Sequence, residues 1–432
     1  QWNWFAFLNT IFEGVTPVHT HGFIRVRSPF YVGHMSRILN TVSSATVFNL
    51  VGFQVALALS PLLADRANSI ARLRLRRRFE SKGEASSRQK MCLHLAQDAM
   101  PLVALYTYST VFSKLYSPSV LYTVESIRYF MRAFVDQARW MDYSTKLVAK
   151  HKLKSMKVHI FHPHWINDEE RLGRIYSQTT VNRREIAESY YIVRRASMRY
   201  HWSKFGKGPI DQEWQGSVFD TECTYDCESN SLFVPMGLFS EPVLHSDISA
   251  IIGVARPGSR IAHAMLAAVD KRGSHFTVAN TYRKWWTEET LYRYAQVQSC
   301  FMEQYKTIVD RKLHLRLTSS GNTDINIADN AAPEVLYEAF LQTVEDMDLD
   351  ERLFIISGLE NFNLDQLFFI SYSLGFCEEQ TDDFLKKQIL HGTTSPAKYR
   401  INVPMGNMDT FASAFRCPAG SPMNKTIKCS LW

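Results

Sequence analysis

One apolar helix restricts this chain more than any other stretch. Residues 254 to 273 read Val-Ala-Arg-Pro-Gly-Ser-Arg-Ile-Ala-His-Ala-Met-Leu-Ala-Ala-Val-Asp-Lys-Arg-Gly. Pro257 and Ser259 suit a helix start, and Gly273 suits its end. Ile261, Ala264, Met265 and Ala268 recur at helical spacing, so they form one apolar face that needs a core to bury it. His263 is the one imidazole in this segment. Taken alone, a histidine on such a face reads as a hydrogen-bonded core residue.

The chain can supply that core. It has 432 residues, 46% of them hydrophobic, which suffices for two lobes with interiors of their own. Aromatic residues make up 13%, which excludes a disordered chain. The net charge of +7 is mild for this length, and no basic-aromatic module of a nucleic-acid binder is present. The sequence opens Gln1-Trp2-Asn3-Trp4, without Met or signal peptide, and reads as if entered part-way. The longest weakly charged run, Thr41 to Ala64, contains Asn49, Gln54 and Pro61 and is expected as a buried helix rather than a membrane span.

Seven cysteines are dispersed, Cys92, Cys223, Cys227, Cys300, Cys377, Cys417 and Cys429, without the paired CxxC spacing of a structural zinc site. An odd, scattered set fits an oxidising compartment with at least one partner outside this chain; buried thiols in a cytosolic protein are the alternative.

In chain order, residues 3 to 154 carry helical periodicity, with Phe5, Leu8, Ile11 and Phe12 on one face. Arg72, Arg74, Arg76, Arg77 and Arg78 form a basic run, read as a solvated helix face in preference to a polyanion site. Trp140-Met141-Asp142 opens another helix. His159, His162 and His164 match no regular ligand spacing, and Pro163 makes the backbone extended there, so an exposed turn is expected. The character changes near Gly206, Gly208 and Pro209, a connector. Strand-like segments follow between Trp214 and Val234. Trp285-Trp286 opens a helix to about Ile308, Asn330 and Pro333 start another, and Asn363 to Phe376 is a strongly apolar one.

The tail carries the most specific signal. Ser395-Pro396-Ala397-Lys398-Tyr399-Arg400-Ile401, then Phe411, Ala414-Phe415, Cys417, Met423-Asn424 and Cys429-Ser430-Leu431-Trp432 resemble the C-terminus of neprilysin and the endothelin-converting enzymes. Phe233-Val234-Pro235-Met236-Gly237 and Gly273, Phe276 and Trp285-Trp286-Thr287 resemble the segments flanking the zinc helix of that family. Asn326-Ile327-Ala328-Asp329-Asn330 resembles its second zinc motif. Gln366-Leu367-Phe368-Phe369 and Trp140-Met141-Asp142 with Thr145-Lys146 fit in the same order.

This resemblance implies a mainly α fold with a small β-sheet: a helical lobe over residues 1–205, its upstream part missing, and a thermolysin-like lobe over 206–432, with a cavity between them. It implies a Cys300–Cys429 disulfide. It leaves Cys92, Cys377 and Cys417 to pair with cysteines upstream of residue 1 or on another chain. Cys223 and Cys227 lie outside the family pattern and are left for a local bridge. Asn424-Lys425-Thr426 is a glycosylation sequon.

The family's zinc helix carries His-Glu-x-x-His, whose i, i+4 histidines share one face while the Glu activates the metal-bound water. His263 falls on the first histidine, Ala264 on the Glu and Ala267 on the second histidine. Ile325 replaces the Glu that completes the zinc set, Thr394 the histidine that would steady the oxyanion, and Glu222 an Asn that would hold substrate backbone. Asp270, Asp329 and Arg400 are retained. One imidazole cannot hold a catalytic zinc against water, and Ala and Ile offer no lone pair. The expectation is therefore a non-catalytic, neprilysin-like pseudo-peptidase with zinc lost. It would be secreted or the ectodomain of a type II membrane protein, and would bind a peptide or protein. An active zinc endopeptidase with atypical ligands, or a structural subunit of an extracellular assembly, are the alternatives. No nucleic-acid partner is expected.

Overall fold

Leu232-Phe233-Val234, the apolar run expected as strand, becomes the middle of a three-stranded sheet. In the computed structural model, strand β1 is Lys157–Ile160, β2 is Thr224–Asp226 and β3 is Ser231–Val234, in the order β1-β3-β2. β3 runs parallel to β1, with Lys157 opposite Ser231 and Ile160 opposite Val234, and antiparallel to β2. Its four residues are all buried, as a strand flanked on both edges requires. The structure describes residues 3–19, 28–62, 88–182, 184–205, 220–239, 248–279, 281–317, 322–346 and 358–432, with residues 24, 26 and 214. The Arg72–Arg78 run and the connector at Gly206, Gly208 and Pro209 lie outside them.

The chain divides into two units, residues 1–110 with 164–213, and residues 111–163 with 214–432. Residues 111–163, inside the expected 1–205 lobe, thus cluster with the C-terminal part. The rest of the described chain is mostly helical, as the resemblance implied.

In the first unit, α1 (Trp4–Ile11) is capped by Asn3, and Phe12 at its end stacks on Phe205 at 4.3 Å between ring centroids. Helices α2 (Pro29–Thr41) and α3 (Ser44–Leu59) follow, then α4 (Arg88–Ala99). Ser197, on α8 (Ile186–Trp202) after α7 (Glu169–Tyr176), donates to the Ala99 carbonyl at 2.6 Å. The expected apolar helix within 41–64 forms as α3, but it is not buried: none of its residues is in a core, and Phe48 is 79% exposed. Phe48, Leu50, Val51, Phe53 and Val55 are distributed around it, so it offers no single face to pack. Among the described residues, no helix is long and apolar enough to cross a membrane.

Helix α5 (Pro101–Gln137) contributes residues to both units. In the second, Asp142 caps α6 (Tyr143–Lys154), accepting from the Thr145 amide at 2.8 Å. β1 then takes the position where an exposed turn was expected, and His159 lies flat on Phe233 at 4.7 Å. The core is built by α9 (Ile248–Leu266), α11 (Thr323–Asp346), α12 (Leu364–Leu374) and α14 (Ala397–Asn407). Between them run α10 (Glu288–Lys306), capped by Thr287, and α13 (Asp382–His391); α15 (Asp409–Ala414) follows.

Two helix starts differ from expectation. α9 begins at Ile248, with Pro257 inside it, and α11 begins at Thr323, with Pro333 inside it. An internal proline costs about 3 kcal/mol. Pro257 and Pro333 are both buried, and α9 and α11 pack against each other, so apolar burial offsets that cost. Gly258 explains the closeness of the contact: a Cβ there would lie 2.6 Å from Leu336 Cδ1. α9 also ends early. At Ala267 the chain tightens into three-residue hydrogen bonds from Ala267 to Ala264 and Ala268 to Met265, and Gly273 starts a separate 3₁₀ turn.

Candidate functional site

The floor of the site is α9, whose Ile261, Ala262, Met265 and Leu266 are at most 2% exposed. His263 emerges from this helix with its side chain 30% exposed, and its Nδ1 lies 3.1 Å from Asp329 Oδ1. Asp329, on α11, is 1% exposed. From α14, Arg400 donates to the same carboxylate through Nε at 2.7 Å and Nη2 at 2.8 Å. The sequence brings these three residues from three helices to one carboxylate. Burial pushes the Asp329 pKa up, but the hydrogen bonds and charges of His263 and Arg400 outweigh it and hold the carboxyl below its usual range. The carboxylate in turn raises the pKa of Arg400 against the effect of its burial.

Arg400 is also 5.0 Å from the centre of the Phe376 ring. Arg260, on α9 one turn before His263, lies 4.2 Å from that ring and donates to the Gly375 carbonyl at 2.9 Å. Its other terminal nitrogen is 3.3 Å from Glu222 Oε1, just before β2. Arg260 carries no signal in the sequence beyond its place on the helix.

A second, uncharged network fixes the start of α11. Ser395 donates to Asn326 Oδ1 at 2.8 Å, and Asn330 donates to the Asn326 carbonyl at 2.7 Å and to the Tyr305 hydroxyl at 3.1 Å. Asn407 donates to Asn330 Oδ1 at 2.7 Å and exchanges hydrogen bonds with Gln304. The i, i+4 spacing of Asn326 and Asn330 is the trace of this network in the sequence.

Asp270 belongs to a different cluster. Its Oδ1 accepts from the Gly273 amide at 2.7 Å, and burial pushes its pKa up to about 6. The Gly273 carbonyl accepts from Lys152 Nζ at 2.7 Å and Trp285 Nε1 at 3.0 Å. Lys152 is fully buried, which lowers its pKa to about 8. Gly273 is required here: a Cβ would come within 2.3 Å of the Ala268 carbonyl oxygen.

The other positions matched to the zinc motifs carry no charge. Ala264 is buried, Ala267 is half-buried just past the end of α9, and Ile325 is half-buried one turn before Asp329. Thr394 is half-buried in the loop before α14. Among the described residues, no group of three His, Cys, Asp or Glu side chains is placed to hold a metal ion.

Cys300 and Cys429 form the disulfide, with a Cα separation of 5.9 Å, tying α10 to the C-terminal tail. Cys223 and Cys227 do not form the local bridge; both are free, the former half-buried and the latter buried. They flank β2, and four steps of largely extended backbone span roughly 10–13 Å, beyond the reach of about 7 Å between bridged Cα atoms. Cys92 and Cys377 are exposed and free, and Cys417 is free and half-buried. The side-chain nitrogen of Asn424 in the sequon donates to the Cys417 carbonyl at 2.8 Å.

Two sequence models of peptidase family M13 match this chain, one over residues 1–163 and one over residues 223–431. The chain belongs to peptidase family M13. It is 24% identical to neprilysin-2 of Drosophila melanogaster over 99% of its own length and 57% of that protein. It is 29% identical to neprilysin-1 of Trittame loki over 72% of its length and 43% of that protein. Human endothelin-converting enzyme 1 is 22% identical over all of this chain and 55% of the enzyme. The chain thus spans about half the length of these relatives. Among solved structures, the zinc metalloprotease of Mycobacterium tuberculosis in complex with an inhibitor has a similar fold. Its TM-score is 0.79 at 16% identity, covering 95% of this chain and 61% of that one. The Haemonchus galactose-containing glycoprotein complex gives a TM-score of 0.71 at 20% identity over 86% of this chain and 56% of that one.

A catalytic zinc in this family would ask for three protein ligands and a general base on α9 and α11. The residues present do not fit it. Asp329 fixes one nitrogen of His263, leaving the other as a single donor, and the neighbouring positions are methyl and sec-butyl groups.

Proposed function

We propose that this chain is a non-catalytic member of family M13, an extracellular binding or scaffold protein whose ligand is a peptide or another protein. The observation that carries this reading is the chemistry at Ala264, Ala267 and Ile325, which removes the base and two metal ligands from one site while Asp329 and Arg400 keep its frame. Without an acidified water and a base, peptide hydrolysis has neither nucleophile nor proton acceptor. The Cys300–Cys429 disulfide supports an oxidising, extracellular setting. Cys92, Cys377 and Cys417, free within this chain, are available for a covalent link to an upstream segment or a second chain.

The test is elemental analysis of the native protein after dialysis. The expected content is less than about a tenth of an equivalent of zinc, with about one equivalent gained by the A264E/A267H/I325E variant, which restores a three-ligand set. A full equivalent in the wild-type protein that disappears with His263→Ala would overturn the reading in favour of a zinc endopeptidase with atypical ligands. A structural subunit of an assembly would instead show a stable partner that survives high salt and is indifferent to substitutions around His263.

A further inference from the structure

Two guanidinium groups lie against the Phe376 ring, and they are paired in opposite ways. Arg400 holds a carboxylate that is 1% exposed, through two short hydrogen bonds. Arg260 is just as confined, its side chain 14% exposed, stacked on Phe376 and anchored by the Gly375 carbonyl. Its counter-ion differs. The Glu222 side chain is 64% exposed and meets Arg260 through one contact of 3.3 Å. An ion pair with one partner in water contributes little, so Glu222 is a weak occupant of a well-positioned cation. The guanidinium has already lost its mobility and much of its water, which lowers the cost of binding a new anion there. A carboxylate that engages it through two charge-assisted hydrogen bonds would exceed the single Glu222 contact.

We propose that Arg260 is the anion-recognition residue of this site, accepting a carboxylate of a bound peptide in exchange for Glu222, with Phe376 as its apolar wall. This rests on the reading that the His263 site binds a peptide without cutting it. Glu222 then acts as an internal competitor: it satisfies Arg260 in the free protein and swings to solvent when the ligand arrives. No bond is made or broken.

The experiment is a calorimetric titration of the intact, oxidised protein with three capped probes. Acetyl-Ala-Glu-Ala-amide offers a side-chain carboxylate, acetyl-Ala-Ala-Ala with a free C-terminus offers a terminal one, and acetyl-Ala-Gln-Ala-amide offers none. At least one acidic probe is expected to bind at least tenfold more tightly than the Gln probe, and the stronger of the two identifies the source of the carboxylate. E222Q is expected to strengthen binding of that probe several-fold, and R260Q to abolish the preference for acid. A purely structural Arg260–Glu222 pair predicts the opposite for E222Q, weaker or unchanged binding. Equal binding of acidic and neutral probes, weakened or unchanged binding with E222Q, or no binding of any probe at millimolar concentration overturns the proposal. Zinc content and cleavage of the probes, measured on the same samples, report separately on whether the site is catalytic.

Discussion

Asp329 is the residue on which the geometry around His263 depends most, and its removal can be reasoned quantitatively. The carboxylate is 1% exposed and receives hydrogen bonds at 2.7 and 2.8 Å from Arg400, with His263 at 3.1 Å. Arg400→Met keeps the volume and the contact with Phe376 but leaves a buried charge with the imidazole alone. Breaking a buried pair in this way costs about 3–5 kcal/mol. Asp329→Leu should cost less, roughly 2–3 kcal/mol, because Arg400 is 15% exposed and can reach water. The double variant D329L/R400M removes both charges and should lie within about 2 kcal/mol of wild type, giving a coupling energy of at least about 3 kcal/mol. Urea unfolding of the four proteins at pH 7 measures this directly. A loss below about 1 kcal/mol for Arg400→Met, or additive single effects, would refute the reasoning, because a carboxylate stranded in a dry interior cannot be that cheap.

Burial of Asp270 and Lys152 gives opposite slopes of stability with pH. The Asp270 pKa rises from about 3.9 in the unfolded chain to about 6 in the fold. The folded state therefore binds the extra proton between these values, and stability falls as pH rises through that window by about 3 kcal/mol in total; Asp270→Asn should flatten it. Lys152 falls from about 10.4 to about 8, so the unfolded chain binds more protons between these values and stability recovers as pH rises from 8 towards 10.4. Thermal unfolding across pH 4–10 reads both, and a flat profile in either window contradicts the corresponding assignment. Gly258→Val should cost about 1–3 kcal/mol, since its Cβ would sit 2.6 Å from Leu336 Cδ1. Combined with Leu336→Ala, whose side chain is fully buried, the two losses should be less than additive, and a neutral G258V would mean that α9 and α11 do not approach so closely. Replacing Cys300 and Cys429 by Ser opens a loop with a sequence separation of 129 residues. By loop entropy this costs up to about 5 kcal/mol, measurable as a lower urea midpoint; an unchanged midpoint would sink that account.

Several helix starts were legible from the residues alone: Asp142 and Asn363 begin helices where expected and Trp285-Trp286 lies just before the Thr287 cap, because a side-chain oxygen that accepts a free amide acts locally. The prolines were not. Pro257 and Pro333 read as helix starts because their local cost is large, yet both lie inside helices whose long-range packing overrides it. The same blindness applies to α3, whose composition suggested a core while its arrangement gave no face to bury. The residues around His263 could be set against the family motifs position by position. The pairing of Arg260 with Glu222 was not, because it joins residues 38 positions apart that no motif links.

That contrast bears on why the site has the composition it has. A metal ligand or general base at the surface of a site can be replaced by alanine with little effect on the fold, since water solvates whatever charge is left and no partner is stranded. Ala264 is buried and Ala267 and Ile325 are half-buried, so the hydrocarbon at these three positions is mildly favourable where it stands. Asp329 and Arg400 are different: neither can be lost alone without leaving a desolvated charge, so each holds the other in place. His263 stays with them because its Nδ1 faces the same carboxylate. On this physical ground, the residues hardest to lose from such a site one at a time are those with buried charged partners. The Asp329–Arg400 pair, with His263 against it, supplies a frame through protein side chains alone.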